Sequence, residues 1–197
     1  FSVSDKCVYK NSEKQEKMFI AGVNLGVGVP GTMAGELAAT KEDYLRWFAQ
    51  MKDVGFNSLR TYTIHFPRFY ESLDEFNKAN PEDPLYLFHG IWLEEDIENS
   101  DLFTISEHFD SGIKEAVDVV HGNADIGHRY GRAYGVYETD ISNWIIGWII
   151  GREVSPFEVA STNFNNKDVN SFSGEFFKIS NCDPVEAWFT ERLDVLG

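Results

Sequence analysis

The sequence predicts an α/β protein built on a parallel sheet, and three observations lead there. Short apolar runs alternate with segments of helical periodicity along the 197 residues. One run, "WIIGWIIG" at 144–151, is apolar on both sides, which is how a strand reads when helices cover both of its faces. No repeat, low-complexity tract or linker interrupts the alternation. The hydrophobic fraction of 43% belongs to a chain that folds around a core, not to a disordered one.

The elements follow in order. "MFIAGVNLG" at 18–26 is a short apolar run closed by glycine, a buried strand. In "TKEDYLRWFAQMKDVG", Thr40 caps a helix with Asp43 three residues on, Tyr44, Phe48 and Met51 share a face, and Gly55 stops it. "FNSLRTYTI" at 56–64 has the Thr, Tyr and Ile content of a second strand. Pro67 opens a helix carrying Phe69, Tyr70, Leu73 and Phe76 at helical spacing, which Asn80-Pro81 ends. "LYLFHGIWL" at 85–93 is a third strand. A helix with Phe109, Ile113, Val117 and Val120 on one stripe follows and stops at Gly122. The run at 144–151 is the fourth strand. Asp183-Pro-Val-Glu186 caps a last helix presenting Val185, Trp188, Phe189, Leu193 and Leu196.

Four strands, each followed by one helix, are therefore expected in one partial domain spanning 1–197. Segments 94–105 and 123–143 are long insertions, and 1–17 is a short N-terminal extension. Strand–helix alternation gives right-handed crossovers and helices over the sheet. An open doubly wound sheet and a (β/α)8 barrel both fit. The open nucleotide-binding version needs a phosphate-cradling loop after its first strand. "GVNLGVGVPG" at 22–31 is glycine-rich, yet it matches neither phosphate motif and no helix starts directly after it.

Charge excludes some partners. A net charge of −15 and a pI near 4.6 repel nucleic acid and anionic membrane surfaces. The apolar run at 144–151 falls well short of the roughly 18 residues of a membrane span, so no membrane insertion is expected. No signal peptide is visible, and a start at Phe1 rather than Met reads as a processed or trimmed product. Both a secreted and a cytoplasmic location fit. Cys7 and Cys182 match no metal or redox spacing and are either one disulfide or two thiols. The five histidines show no paired ligand spacing, so neither a metal nor a cofactor is expected. No GxSxG elbow points to a serine hydrolase.

In a barrel, catalytic groups gather where strands end at the carboxyl face. Arg60 ends the second strand, His65 follows it, Trp92 ends the third and Glu153 the fourth. A carboxylate at the mouth of an apolar strand is expected to be partly desolvated, which favours its protonated form and suits a general acid. The bland alternative for Glu153 is an ion pair with Arg152 or Arg60. Other candidates read as structure. His89, inside an apolar strand, fits a core histidine, and Glu94, Glu95 and Asp96 fit a solvated loop.

Three stretches resemble the N-terminal half of a retaining glycoside hydrolase barrel of the clan A type, the group of cellulases, mannanases and β-galactosidases. They are "FIAGVNLG" at 19–26, "WFAQMKDVGFNSLRTY" at 47–62 and "IIGWIIGREVSP" at 145–156. The match spans most of residues 19 to 163. The resemblance implies a (β/α)8 TIM barrel of which about four strand–helix units are present, and a β-linked saccharide as substrate of a hydrolase or transglycosidase. It implies Glu153 as the acid/base and Arg60 as the arginine that orders the carboxylates. Tyr62 and Trp92 become platforms for sugar rings, with Asn24 and His65 lining the cleft. Two departures stand out. The residue before the acid/base is usually an asparagine that binds the sugar's 2-hydroxyl, and here it is Arg152, expected to donate to the same hydroxyl or to an acidic group on the sugar. The nucleophile belongs at the end of a seventh strand, so the C-terminal half of the barrel is an expected partner. A non-catalytic carbohydrate-binding half-barrel is the alternative.

Overall fold

The computed structural model describes residues 1–10, 16–26 and 28–197. Residues 11–15 of the N-terminal extension and Val27 of the glycine-rich loop lie outside the described residues. In chain order the strands and α-helices are β1 (Ser2–Ser4), β2 (Cys7–Tyr9), β3 (Lys17–Met18), β4 (Gly22–Leu25), α1 (Lys41–Asp53), β5 (Ser58–Thr61), α2 (Pro67–Ala79) and β6 (Tyr86–Ile91). Then come α3 (Ser106–Val120), β7 (Ala124–Ile126), β8 (Gly135–Tyr137), β9 (Ile145–Ile150), α4 (Pro156–Asn165), β10 (Ser171–Ser173), β11 (Lys178–Ser180) and α5 (Pro184–Leu196).

The main sheet has four parallel strands in the order β4-β5-β6-β9. Each strand joins the side of its predecessor, so the helical crossovers all advance the sheet in one direction. Helices α1 and α2 pack through Phe48, whose ring lies 6.1 Å from Phe69 and 5.7 Å from Phe76. Phe48, Phe69, Leu73 and Leu87 are fully buried, each worth about 1.5–3 kcal/mol relative to an exposed side chain. Thr40 caps α1 as its sequence requires, in a reciprocal capping box with Asp43. Asp183 caps α5 in the same way through Glu186.

The structure departs from the sequence expectation at four places. The run 18–26 is broken: Met18 pairs antiparallel with Val8, Phe19 is exposed, and only Gly22–Leu25 joins the parallel sheet. The side chain of Asn57 causes the break to hold, donating to the Phe19 carbonyl and accepting from the Ala21 amide. The N-terminal extension is a β1-β2-β3 meander. The third helix buries Ala116 and Val119 alongside Phe109, Ile113 and Val120, while Val117 is only half-buried. The fourth strand is followed by two helices, α4 and α5, with the β10–β11 hairpin between them. Proline at the start of α4 and a Ser155–Glu158 capping box mark that extra helix.

The strand expected to be deeply buried is only half so. All six residues of β9 are half-buried, because β9 is an outer strand and its far edge meets no other strand among the described residues. An apolar outer strand with an unpaired backbone edge is a template for association. The isolated 197-residue chain is therefore expected to self-associate through β4 or β9, which light scattering after size exclusion will detect. A monodisperse monomer at all concentrations would show that these edges are self-sufficient. Cys7 and Cys182 are both free thiols. Among the described residues no helix is long and apolar enough to cross a membrane.

Candidate functional site

Parallel pairing places the candidates before any side chain is considered. Asn24 pairs with Arg60, Arg60 with Phe88, and Phe88 with Gly147. Residues in register point to the same side of a sheet, so Asn24, Arg60 and Phe88 share one face. Their neighbours Leu25, Leu59 and Leu87 point the other way and are buried beneath the helices. The Asn24 face is the open one, with Asn24 exposed and Arg60 and Phe88 half-buried. Its amino end is covered by the N-terminal meander, where Phe1 packs edge-on against Tyr86 at 4.8 Å and Lys10 sits 4.9 Å over the same ring.

The carboxyl end carries the aromatics. The Arg60 guanidinium lies 4.6 Å from the centre of the Tyr62 ring. Tyr62 in turn meets Trp92 edge to face at 6.1 Å, and Trp92 keeps 38% of its surface exposed. Gly90 makes this arrangement possible. A Cβ there would collide with the carbonyl oxygens of Thr61 and Tyr62, so only glycine lets the end of β5 lie this close to β6. Arg60, Tyr62 and Trp92 thus form a continuous cation–aromatic shelf, a geometry worth on the order of 0.5–1 kcal/mol per exposed contact.

Glu153 follows the carboxyl end of β9, the same edge of the sheet. It is exposed, so the desolvation expected at the strand mouth does not occur. Among the described residues no ion pair reaches its carboxylate. Arg152 pairs with Glu158 instead, at 2.7 Å, and the guanidinium of Arg60 lies over Tyr62. The structural ion-pair alternative for Glu153 therefore does not hold.

Two expected sugar contacts are corrected. Arg152 donates to the Leu93, Glu94 and Glu153 carbonyls and to both oxygens of Glu158. Those five hydrogen bonds engage all the donors a guanidinium has, and none is left for a 2-hydroxyl. The residue instead staples the loop after β6 to the loop after β9. His65 is the second correction, because it is fully buried and does not line the cleft. Its ring meets the Tyr44 hydroxyl at 3.0 Å through Nδ1, its carbonyl accepts from Tyr137 Oη, and its amide donates to Tyr70 Oη. His89 is a satisfied core histidine. Its Nδ1 donates to the Gly90 carbonyl at 3.0 Å, which leaves Nε2 to accept from the Tyr70 hydroxyl at 2.9 Å.

This buried network has a pH consequence. Burial first, then the neighbouring His89 and Arg68, holds the His65 pKa down at about 3. Burial holds His89 down at about 4. Both histidines are neutral when folded and take up protons near 6.5 when unfolded. Their stabilising contribution is complete above pH 6.5 and declines as pH falls, toward 4 for His89 and toward 3 for His65, by up to about 1.4 kcal/mol per pH unit for each histidine. The urea midpoint is expected to fall steadily over that window. A flat profile would mean that both imidazoles protonate in place.

Tyr62 and Trp92 also border a cavity of about 630 Å³. It lies between the carboxyl ends of β5 and β6, helix α3 and the 129–133 loop, and neither Arg60 nor Glu153 lines it. Its rim carries charge pairs that the sequence did not show. Glu94 pairs with Arg132 and lies 3.9 Å from His108 Nε2, and Arg129 pairs with Glu115 at 2.8 Å. Glu94 is thus a paired rim residue rather than part of a solvated acidic run. These partners are 14 to 38 positions apart in the chain, and no local motif reveals such pairs. Among the described residues no group of three or more His, Cys, Asp or Glu is placed to hold a metal ion. Comparison of the chain with protein families, curated sequences and solved structures finds no match.

Proposed function

We propose that the chain is the N-terminal half of a retaining β-glycosidase barrel, with Glu153 as its acid/base. The observation that carries this reading is convergence at one sheet edge. Asn24 and Arg60 pair in register on the open face, the Tyr62–Trp92 shelf adjoins Arg60, and Glu153 follows β9 at the same end, its carboxylate paired with neither arginine among the described residues.

Each part has a chemical task. The shelf stacks on the apolar face of a pyranose ring, while Asn24 and Arg60 donate to hydroxyls or to a carboxylate. Retention of configuration needs two carboxyls about 5–5.5 Å apart, one protonating the leaving oxygen and one attacking the anomeric carbon. The attacking carboxylate would come from the barrel's C-terminal half. The exposed shelf also favours a second reading, carbohydrate binding without hydrolysis, since stacking alone suffices to hold a sugar. Turnover separates the two. A product that extends residues 1–197 through a complete barrel should hydrolyse an aryl β-glycoside, and residues 1–197 alone should not. Sugar binding by the complete product without any turnover would support the second reading and overturn the first.

A further inference from the structure

We propose that the 630 Å³ cavity beside α3 is a binding site for a neutral, largely apolar small molecule, separate from the open sheet face. Its size falls within the roughly 300–1,000 Å³ range of small-molecule sites. The walls are Leu37, Ile64, Ile91, Phe109, Ala116 and Ala133, each at most 8% exposed. Ile91 belongs to the set of β6 residues that face the helices, opposite to Arg60 and Phe88. The cavity therefore lies across the sheet edge from the proposed sugar face, and Tyr62 and Trp92 border both.

The charges at the rim define what the site accepts. Glu94 is matched by Arg132 and Glu115 by Arg129, so two anions answer two cations and no net charge is left to draw an ion. A charged ligand would have to break one of these pairs to be met. What remains for recognition is apolar wall and aromatic edge, which suit a neutral ring system.

Gly112 is the second observation. It sits in the middle of α3 and lines the cavity, where glycine weakens a helix relative to alanine. Packing does not demand it, because a Cβ at this position meets nothing within 4 Å. Its effect is to keep the floor of the cavity open. The roof is formed where a short 3₁₀ turn closely approaches the 129–133 loop, so that a Cβ on Gly35 would lie 3.4 Å from the Gly131 Cα.

The test uses the intact protein with selectively ¹⁵N-labelled glycine, titrated with neutral N-phenyl-1-naphthylamine and with its anionic sulfonated relative, 1-anilinonaphthalene-8-sulfonate. The neutral probe should bind saturably and shift the Gly35, Gly112 and Gly131 amides. The anionic probe should bind at least tenfold more weakly there. Gly112→Leu, which extends a side chain into the cavity, should weaken the neutral probe at least tenfold, whereas Phe164→Ala, at an exposed aromatic outside the cavity, should change nothing. Binding without shifts at those three glycines would overturn the proposal, as would binding that survives Gly112→Leu. Equal or tighter binding of the anionic probe at the same glycines would overturn the assignment of a neutral ligand. If Gly112→Leu fails to fold, the map of glycine shifts in the unaltered protein decides alone. This site does not depend on the glycosidase reading: a protein inactive on every glycoside should still bind the neutral probe.

Discussion

Glu153→Gln, introduced into a complete barrel containing residues 1–197, should slow hydrolysis of natural β-glycosides by about 10²–10⁴-fold, the usual worth of a positioned general acid. Natural substrates leave as alkoxides of high basicity and need a proton at the bridging oxygen. A glutamine cannot supply it. Activated aryl glycosides, whose leaving group departs as a stabilised phenolate, should lose far less in the first step. Their second step should still slow, because the same carboxylate must deprotonate the attacking water. Azide needs no deprotonation, so it should restore turnover and yield a glycosyl azide of retained configuration. This split between substrates is specific to an acid/base. Uniform loss across all leaving groups would point to damaged binding or folding, and an unchanged rate would remove Glu153 from the mechanism.

The exposure of Glu153 sets a condition on this result. On the proposed reading, the C-terminal half of the barrel covers this edge of the sheet and brings the second carboxylate to it.

Local chemistry was legible and tertiary consequence was not. Thr40 with Asp43 and Asp183 with Glu186 announce their helices because a capping box is complete within four residues. Both form as read. The apolar run of β9 announces a strand equally well, but periodicity carries no information about what covers it. Its six half-buried residues could not be distinguished from a buried strand. The break between Met18 and Gly22 was invisible because Asn57, which pins it, is more than 35 positions away. The same reason hides the charged rim of the cavity. Arg60, Tyr62 and Trp92 were legible as strand-end residues, and the parallel register brings them together. Arg152 was not legible as a staple, because its partner Glu158 lies six residues on, in the first turn of α4, and its other acceptors lie on the loop after β6.

That pair yields the largest expected effect on folding. Arg152 and Glu158 keep only 9% and 10% of their side chains exposed, and the two guanidinium Nη atoms bind the two carboxylate oxygens at 2.7 and 3.1 Å. Removing one partner leaves the other charge buried and unmatched, which costs about 3–5 kcal/mol. Arg152→Met and Glu158→Gln should each lose that much in urea unfolding, and Arg152→Met should lose the tie to Leu93 and Glu94 as well. The double variant Arg152→Met/Glu158→Leu should lose less than the sum of the single changes, because no unmatched charge remains. The pair also predicts an acid limb. The hydrogen bonds from Arg152, together with the Ser155 amide and hydroxyl, hold the Glu158 pKa at about 2, below its ordinary value of 4.5. A depressed carboxylate stabilises the fold fully above the unfolded value and loses that contribution as pH falls from 4.5 toward 2. The His65 window runs down to about 3 and overlaps this one, so the two are separated by comparing variants rather than by pH alone. Glu158→Gln should make the decline between pH 4.5 and 2 shallower while leaving that between 6.5 and 4.5 intact. If the decline between pH 4.5 and 2 is as steep in Glu158→Gln as in the unaltered protein, another group supplies it and the Arg152–Glu158 pair is not what acid disrupts.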